Sequence, residues 1–176
     1  MKCPRFVALS VILLSSSVAI AAGEGDDLKA ALTSGQAGVN LRARYEHVDQ
    51  DSFLEDADAL TARLRLNYST GAWKNLSAFV EFDYVFHLLD DFNSSGGTSP
   101  NRIQYPAIVD PDGADLNQLY LDYAIDGDSS VRLGRQRILL DNQRFVGGVG
   151  WRQNEQTYDA LTIKSRALRK TSLSYS

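Results

Sequence analysis

Arginine recurs two residues apart twice in quick succession, at Arg42 and Arg44 and again at Arg63 and Arg65. A separation of two puts both side chains on one face of a β-strand, because successive strand residues point to opposite sides. Glu81 and Asp83 repeat the spacing with the opposite sign, and Asp122, Arg132 and Lys164 extend the charged row into later segments. Two chemistries are open to such rows. Cations and carboxylates on neighbouring strands can pair into neutral ladders that brace a wall, or a surplus of guanidinium groups can concentrate anions. The chain is acidic overall, net −4 with 18 basic and 22 acidic residues, so the arginine rows depart locally from composition. That balance makes nucleic acid an improbable partner.

Other chemistries have weaker support. The two histidines, His47 and His87, lie near the ends of apolar-alternating segments, and no G-x-S-x-G elbow is present. His87 beside Asp90 and Asp91 is the nearest approach to a base and its orienter, so a barrel hydrolase remains only a remote alternative and no catalytic residue is assigned. Asp49, Asp51, Glu55, Asp56 and Asp58 cluster in one polar stretch, and Asp110, Asp112 and Asp115 in another. Oxygen ligands of this kind suit calcium, but the spacing matches no EF-hand loop. They read as solvated acidic loops, and no metal or other cofactor is expected.

The charged rows need strands to hold them. Residues 1–21 read as a secretory leader, with Lys2 and Arg5 before the apolar run Phe6–Leu14 and with small residues for cleavage after Ala21 or Ala22. Its removal takes two basic residues and no acidic ones, so the net charge moves from −4 to about −6. It also takes the single cysteine, Cys3, leaving no thiol for a disulfide. Residues 22–37 form a small, polar leader, with room for one helical turn at Leu28–Leu32. From residue 38 to 176 the apolar residues alternate: Val39, Leu41, Ala43 and Tyr45, then Leu60 to Tyr68, then Leu76 to Phe86. Strands are expected at about 38–48, 58–69, 76–87, 116–125, 130–137 and 158–165, with a seventh beginning at Thr171.

The connections between these strands run long, short, long, short, long, short. Thr70–Asn75 holds the glycine of a hairpin turn, and Asp126-Gly127-Asp128 makes the second short turn. Residues 88–115 and 138–157 have no strand periodicity. Such alternation is what outward loops and periplasmic turns produce in an outer-membrane barrel, and no stretch after the leader is apolar enough for a spanning helix. The expected fold is therefore all-β: an antiparallel up-and-down transmembrane β-barrel, present as an incomplete N-terminal portion of six to seven strands. Tyr45 and Phe86 would lie near the outer interface, and Tyr68, Trp73 and Tyr123 near the inner one.

Arg135 and Arg137 do not fit strict alternation from Val131 and Leu133, which points them toward lipid. A bulge at Gly134, or an early strand end, would bring both to the lumen or its rim. The run after them is rich in glycine, at Gly147, Gly148 and Gly150, and in donors, at Gln143, Arg144, Arg152, Gln153 and Asn154. It either folds into the lumen and narrows it, or stands as an exposed loop stiffened by its own hydrogen bonds.

The run Gly134–Ala160 resembles the alginate export family of Gram-negative outer-membrane barrels, as do Arg44–Gln50, Ala78–Phe82, and Tyr105-Pro106 with Asp110-Pro111-Asp112-Gly113. The resemblance spans about Gly38 to Tyr175. It implies a many-stranded barrel in the outer membrane with a basic constriction, through which an anionic polysaccharide or smaller organic acid diffuses. Arg42, Arg44, Arg63, Arg65, Glu81, Asp83, Asp122, Arg132, Arg135, Arg137, Arg144, Arg152 and Lys164 are the expected pore-lining residues. Membrane lipid, the anionic solute, periplasmic chaperones and the barrel-assembly machinery are the expected partners. A structural or adhesive barrel without selective transport is the alternative.

Overall fold

A computed structural model describes residues 5–19, 27–94, 100–140, 142–166 and 173–176. The expected leader cleavage site, residues 167–170 of the expected turn and the expected strand start at Thr171 lie outside the described residues.

One antiparallel sheet contains every strand, each paired with its neighbours in sequence: β1 (Arg5–Ala19), β2 (Gln36–Asp49), β3 (Ala57–Ser69), β4 (Leu76–Asp91), β5 (Gly113–Ala124), β6 (Ser129–Gln136), β7 (Tyr158–Ser165) and β8 (Leu173–Tyr175). The fold is thus all-β and up-and-down, and the sheet is open between β1 and β8. One helix, α1 (Leu28–Thr33), precedes β2.

The alternation of the sequence becomes two unlike faces. In register, Val39 opposes Leu66, and Leu66 opposes Phe82. Leu119 and Leu121 continue this face on β5, Leu133 on β6, and Leu161 and Ile163 on β7. Their exposure runs from 40% for Ile163 to 58% for Leu133, because nothing among the described residues packs over them. The opposite face carries the charged rows and is buried beneath the long connections.

Several boundaries differ from expectation for physical reasons. β4 continues past His87 to Asp91, because a register shift between Leu60 and Thr61 lets the non-alternating Leu89-Asp90-Asp91 pair with β3. The first short turn does not use its glycine. Lys74 (φ 48°) and Asn75 (φ 68°) are the left-handed pair, closed by reciprocal hydrogen bonds between the backbones of Trp73 and Leu76, as in a type I′ hairpin. Gly71 serves α1 instead: its N–H donates to the Ala31 carbonyl at 2.9 Å, and a Cβ there would come within 2.5 Å of Ser34 Oγ. The apolar run of the expected leader lies along the edge of β2 as β1, with Arg5 opposite Asp49 and Ala19 opposite Gln36. A free strand edge is a template for such pairing.

At the long-connection end, residues 92–94 and 100–110 fold back over the polar face. Phe92 and Ile108 pack with Val48, Ala57 and Ala59 into a small core, with Tyr105 against it. This core fixes where Asp110, two residues beyond Ile108, arrives.

Candidate functional site

The register stacks the charged residues across the wall. Arg42 on β2 is directly opposite Arg63 on β3, Asn40 is opposite Arg65, and Arg65 is opposite Asp83 on β4. Lower on the wall, toward the short turns, Asn67 is opposite Glu81 and Glu81 is opposite Gln118 on β5. A register shift between Glu81 and Phe82 makes room for Asn117 beside Gln118, and both amides donate to Glu81, at 2.8 and 2.9 Å. Asp122 and Arg132 pair between β5 and β6, where the guanidinium also lies 4.0 Å over the Tyr120 ring.

Most of these charges neutralise one another. Arg44 is bonded to Glu46 and to Asp110, the latter at 2.8 Å, with its side chain 2% exposed. Arg65 holds Asp83 through Nε at 2.7 Å and Nη2 at 2.6 Å, and also reaches Glu155 at 2.5 Å. Arg137 joins Glu81 at 3.0 Å and Glu155, and Arg152 joins Glu46 at 3.0 Å. Among the described residues the ion pairs and arginine–carbonyl bonds over this face join seven arginines (Arg42, Arg44, Arg63, Arg65, Arg132, Arg137, Arg152) and six carboxylates (Glu46, Glu81, Asp83, Asp110, Asp122, Glu155). Buried pairing of this kind holds a wall together, since removing one partner strands the other charge.

The connection between β6 and β7 folds across the polar face. Arg42 donates to the carbonyls of Gly150 (3.0 Å), Trp151 (2.6 Å) and Arg152 (3.1 Å), and Arg63 to that of Gln153 (3.1 Å). Gln153 is fully buried: its Nε2 donates to Thr61 Oγ1 at 2.9 Å and its backbone N–H to Asp110 Oδ1 at 2.9 Å. Asp110 is therefore the junction of the β4–β5 and β6–β7 connections. Farther along, burial opposes the charge of Glu155, but hydrogen bonds from Arg137 and Asn117 and the nearby Arg65 outweigh it and hold this carboxyl down to about 2.

The sequence pattern of the alginate export family matches residues 34–172. The chain belongs to the alginate export family. The match spans β2 to β7 and both loops that cover the polar face. Alginate export is a transport family of porin-like proteins rather than an enzyme family. No curated protein and no solved structure matches the chain.

In this alginate export chain, Arg42, Arg44, Arg63, Arg65, Glu81, Asp83, Asp122, Arg132, Arg137 and Arg152 come together on one face or over it. Three expected residues stand apart. Arg135 does not turn to the polar face: β5 and β6 pair without a bulge at Gly134, so Arg135 stays opposite Leu119 and pairs with Asp159 at 3.0 Å. β6 ends one residue later at Gln136, and that early end is what frees Arg137 to turn inward. Arg144 is exposed at the loop tip, with Phe145 beneath its guanidinium. Lys164 keeps the polar face, two residues from Thr162 opposite Arg132, but lies away from the cluster, exposed near the short-turn end of β7 opposite Ser130.

Three carboxylates matter more than their sequence context suggested. Glu46 lies in the first charged row, where it pairs with Arg44, and gains a second partner when Arg152 arrives. Asp110 sits in an Asp-Pro-Asp-Gly stretch that reads as solvated loop, and Glu155 follows Arg152-Gln153-Asn154 without periodicity. Only tertiary folding brings them to the wall. His87 does not assemble with Asp90 and Asp91; its Nε2 donates to the Asp110 carbonyl at 2.7 Å and its ring packs against Phe92.

Proposed function

We propose that the chain forms part of the wall of an outer-membrane channel that passes anionic solutes, uronate-type polysaccharide or smaller organic acids, by diffusion. The observation that carries this reading is the two-sidedness of the sheet: a half-exposed apolar face backs a polar face lined by arginines and narrowed by a docked loop. Lipid fits the first face and an aqueous path the second. Membership of the alginate export family supports transport of a polymer that carries one carboxylate per sugar. The apolar leader run supports export from the cytoplasm before insertion into the outer membrane of a Gram-negative cell, with periplasmic chaperones and the barrel-assembly machinery as transient partners.

Selectivity in this reading does not come from a bulk surplus of charge, because most arginines are paired. It rests on cations that face the path without a carboxylate, Arg42 and Arg63 foremost. Single-channel recording on the complete protein in a planar bilayer tests it. A channel that prefers chloride to potassium, and loses the preference in Arg63→Gln, is the expected result; no conductance, or a cation preference, rejects the reading. Arg144→Ala at the exposed tip should leave the preference unchanged, whereas Arg152→Ala should alter it by loosening the loop.

A further inference from the structure

One pair of cations on the polar face has no carboxylate partner among the described residues. Arg42 and Arg63 are directly opposed across β2 and β3, an arrangement that repels unless something negative covers it. What covers it is backbone. The carbonyls of four successive residues, Gly150, Trp151, Arg152 and Gln153, converge on the two guanidinium groups at 2.6 to 3.1 Å. The Nε of each arginine is buried and has no hydrogen-bond partner, so neither fork is saturated. Arg63 is only 6% exposed.

A peptide carbonyl offers a guanidinium a partial charge and one oxygen. A carboxylate offers a full charge and two oxygens whose geometry matches the fork, including its Nε edge. The loop segment therefore occupies, with weaker acceptors, a place built for a stronger one. We propose that Arg42 and Arg63 form a carboxylate-binding site which the loop's own carbonyls fill in this structure, and that a solute carboxylate displaces them and lifts residues 150–153 from the wall. The inference rests on the anion-channel reading and deepens it: the solute itself opens the constriction at the arginines that receive it.

The surroundings confine the movement. On one side of the segment the Gly148 carbonyl accepts from Gln156 N–H at 2.8 Å, and the Gly147 carbonyl accepts from Tyr158 Oη–H at 3.1 Å. On the other side Glu155 is fixed to Arg65 and Arg137. Between these anchors the contacts that must yield are the arginine–carbonyl bonds, Arg152 with Glu46 and Asp110, the Trp151 ring with Arg44, and Gln153 with Asp110 and Thr61. Glu46 and Asp110 keep Arg44 as partner when the segment leaves, so lifting it strands neither carboxylate.

Amide hydrogen exchange on the complete protein in lipid, with glucuronate as probe and glucose as its neutral counterpart, tests the site, and anion preference is recorded on the same preparation. Glucuronate should raise exchange of the Arg152 and Gln153 amides several-fold, and glucose should not. Arg42→Lys, which keeps the charge and loses the fork, should raise that exchange without solute and blunt the response to glucuronate. An anion-selective channel whose 150–153 amides ignore glucuronate overturns the site while leaving the channel standing. An equal response to glucose overturns carboxylate recognition. Absence of anion preference together with no exchange response rejects the channel reading as well.

Discussion

Glu155 shows what a single carboxylate does on this wall. It touches Arg65, Arg137 and Asn117, so Glu155→Gln leaves two partly buried guanidinium groups with one hydrogen-bonded carboxylate each, at a cost of about 2 kcal/mol. Thermal unfolding of the folded protein in detergent should show that loss, and exchange at 150–156 should rise with it. The same residue sets a pH response. Its carboxyl is held at about 2 in the folded chain against an ordinary 4.5, so its contribution to loop docking is complete above pH 4.5 and disappears as pH falls toward 2. Loop protection factors, taken as exchange corrected for the intrinsic pH dependence of the amide rate, should stay flat along an acid titration to pH 4.5 and fall below it; a fall that begins near neutral pH would point to another group. None of this was legible in the sequence. Arg65 and Asp83 could be matched by spacing, but Glu155 lies 90 positions from Arg65 in a stretch without period, and only folding of the loop brings them together.

At the scale of elements the sequence was far more readable, because strand alternation and turn chemistry are local. Period-two runs marked β2 to β7 to within a few residues, and the loop lengths gave their up-and-down order. Failures occurred where a residue does a second task. Gly71 looked like the turn glycine and is instead the close-approach point for α1, while the tight turn falls on Lys74 and Asn75 at positive φ. Left-handed backbone costs a side chain with a Cβ roughly 1–2 kcal/mol, less for asparagine. Asn75→Gly should accordingly stabilise the hairpin by up to about 1 kcal/mol, read as a higher midpoint in denaturant. Gly71→Val should do the reverse by pushing Ser34 away and loosening α1 from the β3–β4 turn, visible as faster exchange of the Gly71 amide. Arg135 failed for a similar reason. Alternation continues through Gly134, so Arg135 remains on the apolar face and relies on Asp159, its partner on the neighbouring strand β7.

The whole molecule poses one question that its parts do not: what covers the apolar face. Val39, Leu66 and Phe82 lie side by side across three strands at 43%, 47% and 53% exposure, and Leu119, Leu121, Leu133 and Leu161 carry the same surface onward. A water-facing surface and a lipid-facing surface answer a charge differently. At a half-exposed position in water, leucine to arginine changes stability by no more than about 0.5 kcal/mol. In a bilayer the same substitution costs about 2 to 4 kcal/mol near the midplane and less toward either interface. Leu66→Arg in the complete protein, unfolded reversibly from liposomes, should lose about 2 kcal/mol or more. Leu54→Arg, in the acidic loop between β2 and β3 and 91% exposed, should lose almost nothing and serves as the matched control. Equal, small effects at both positions would mean that water covers this face, and the channel would then lack its wall. A large loss at Leu66 alone fixes lipid on one side of the sheet, and the docked loop and paired arginines then lie on the side that faces the path.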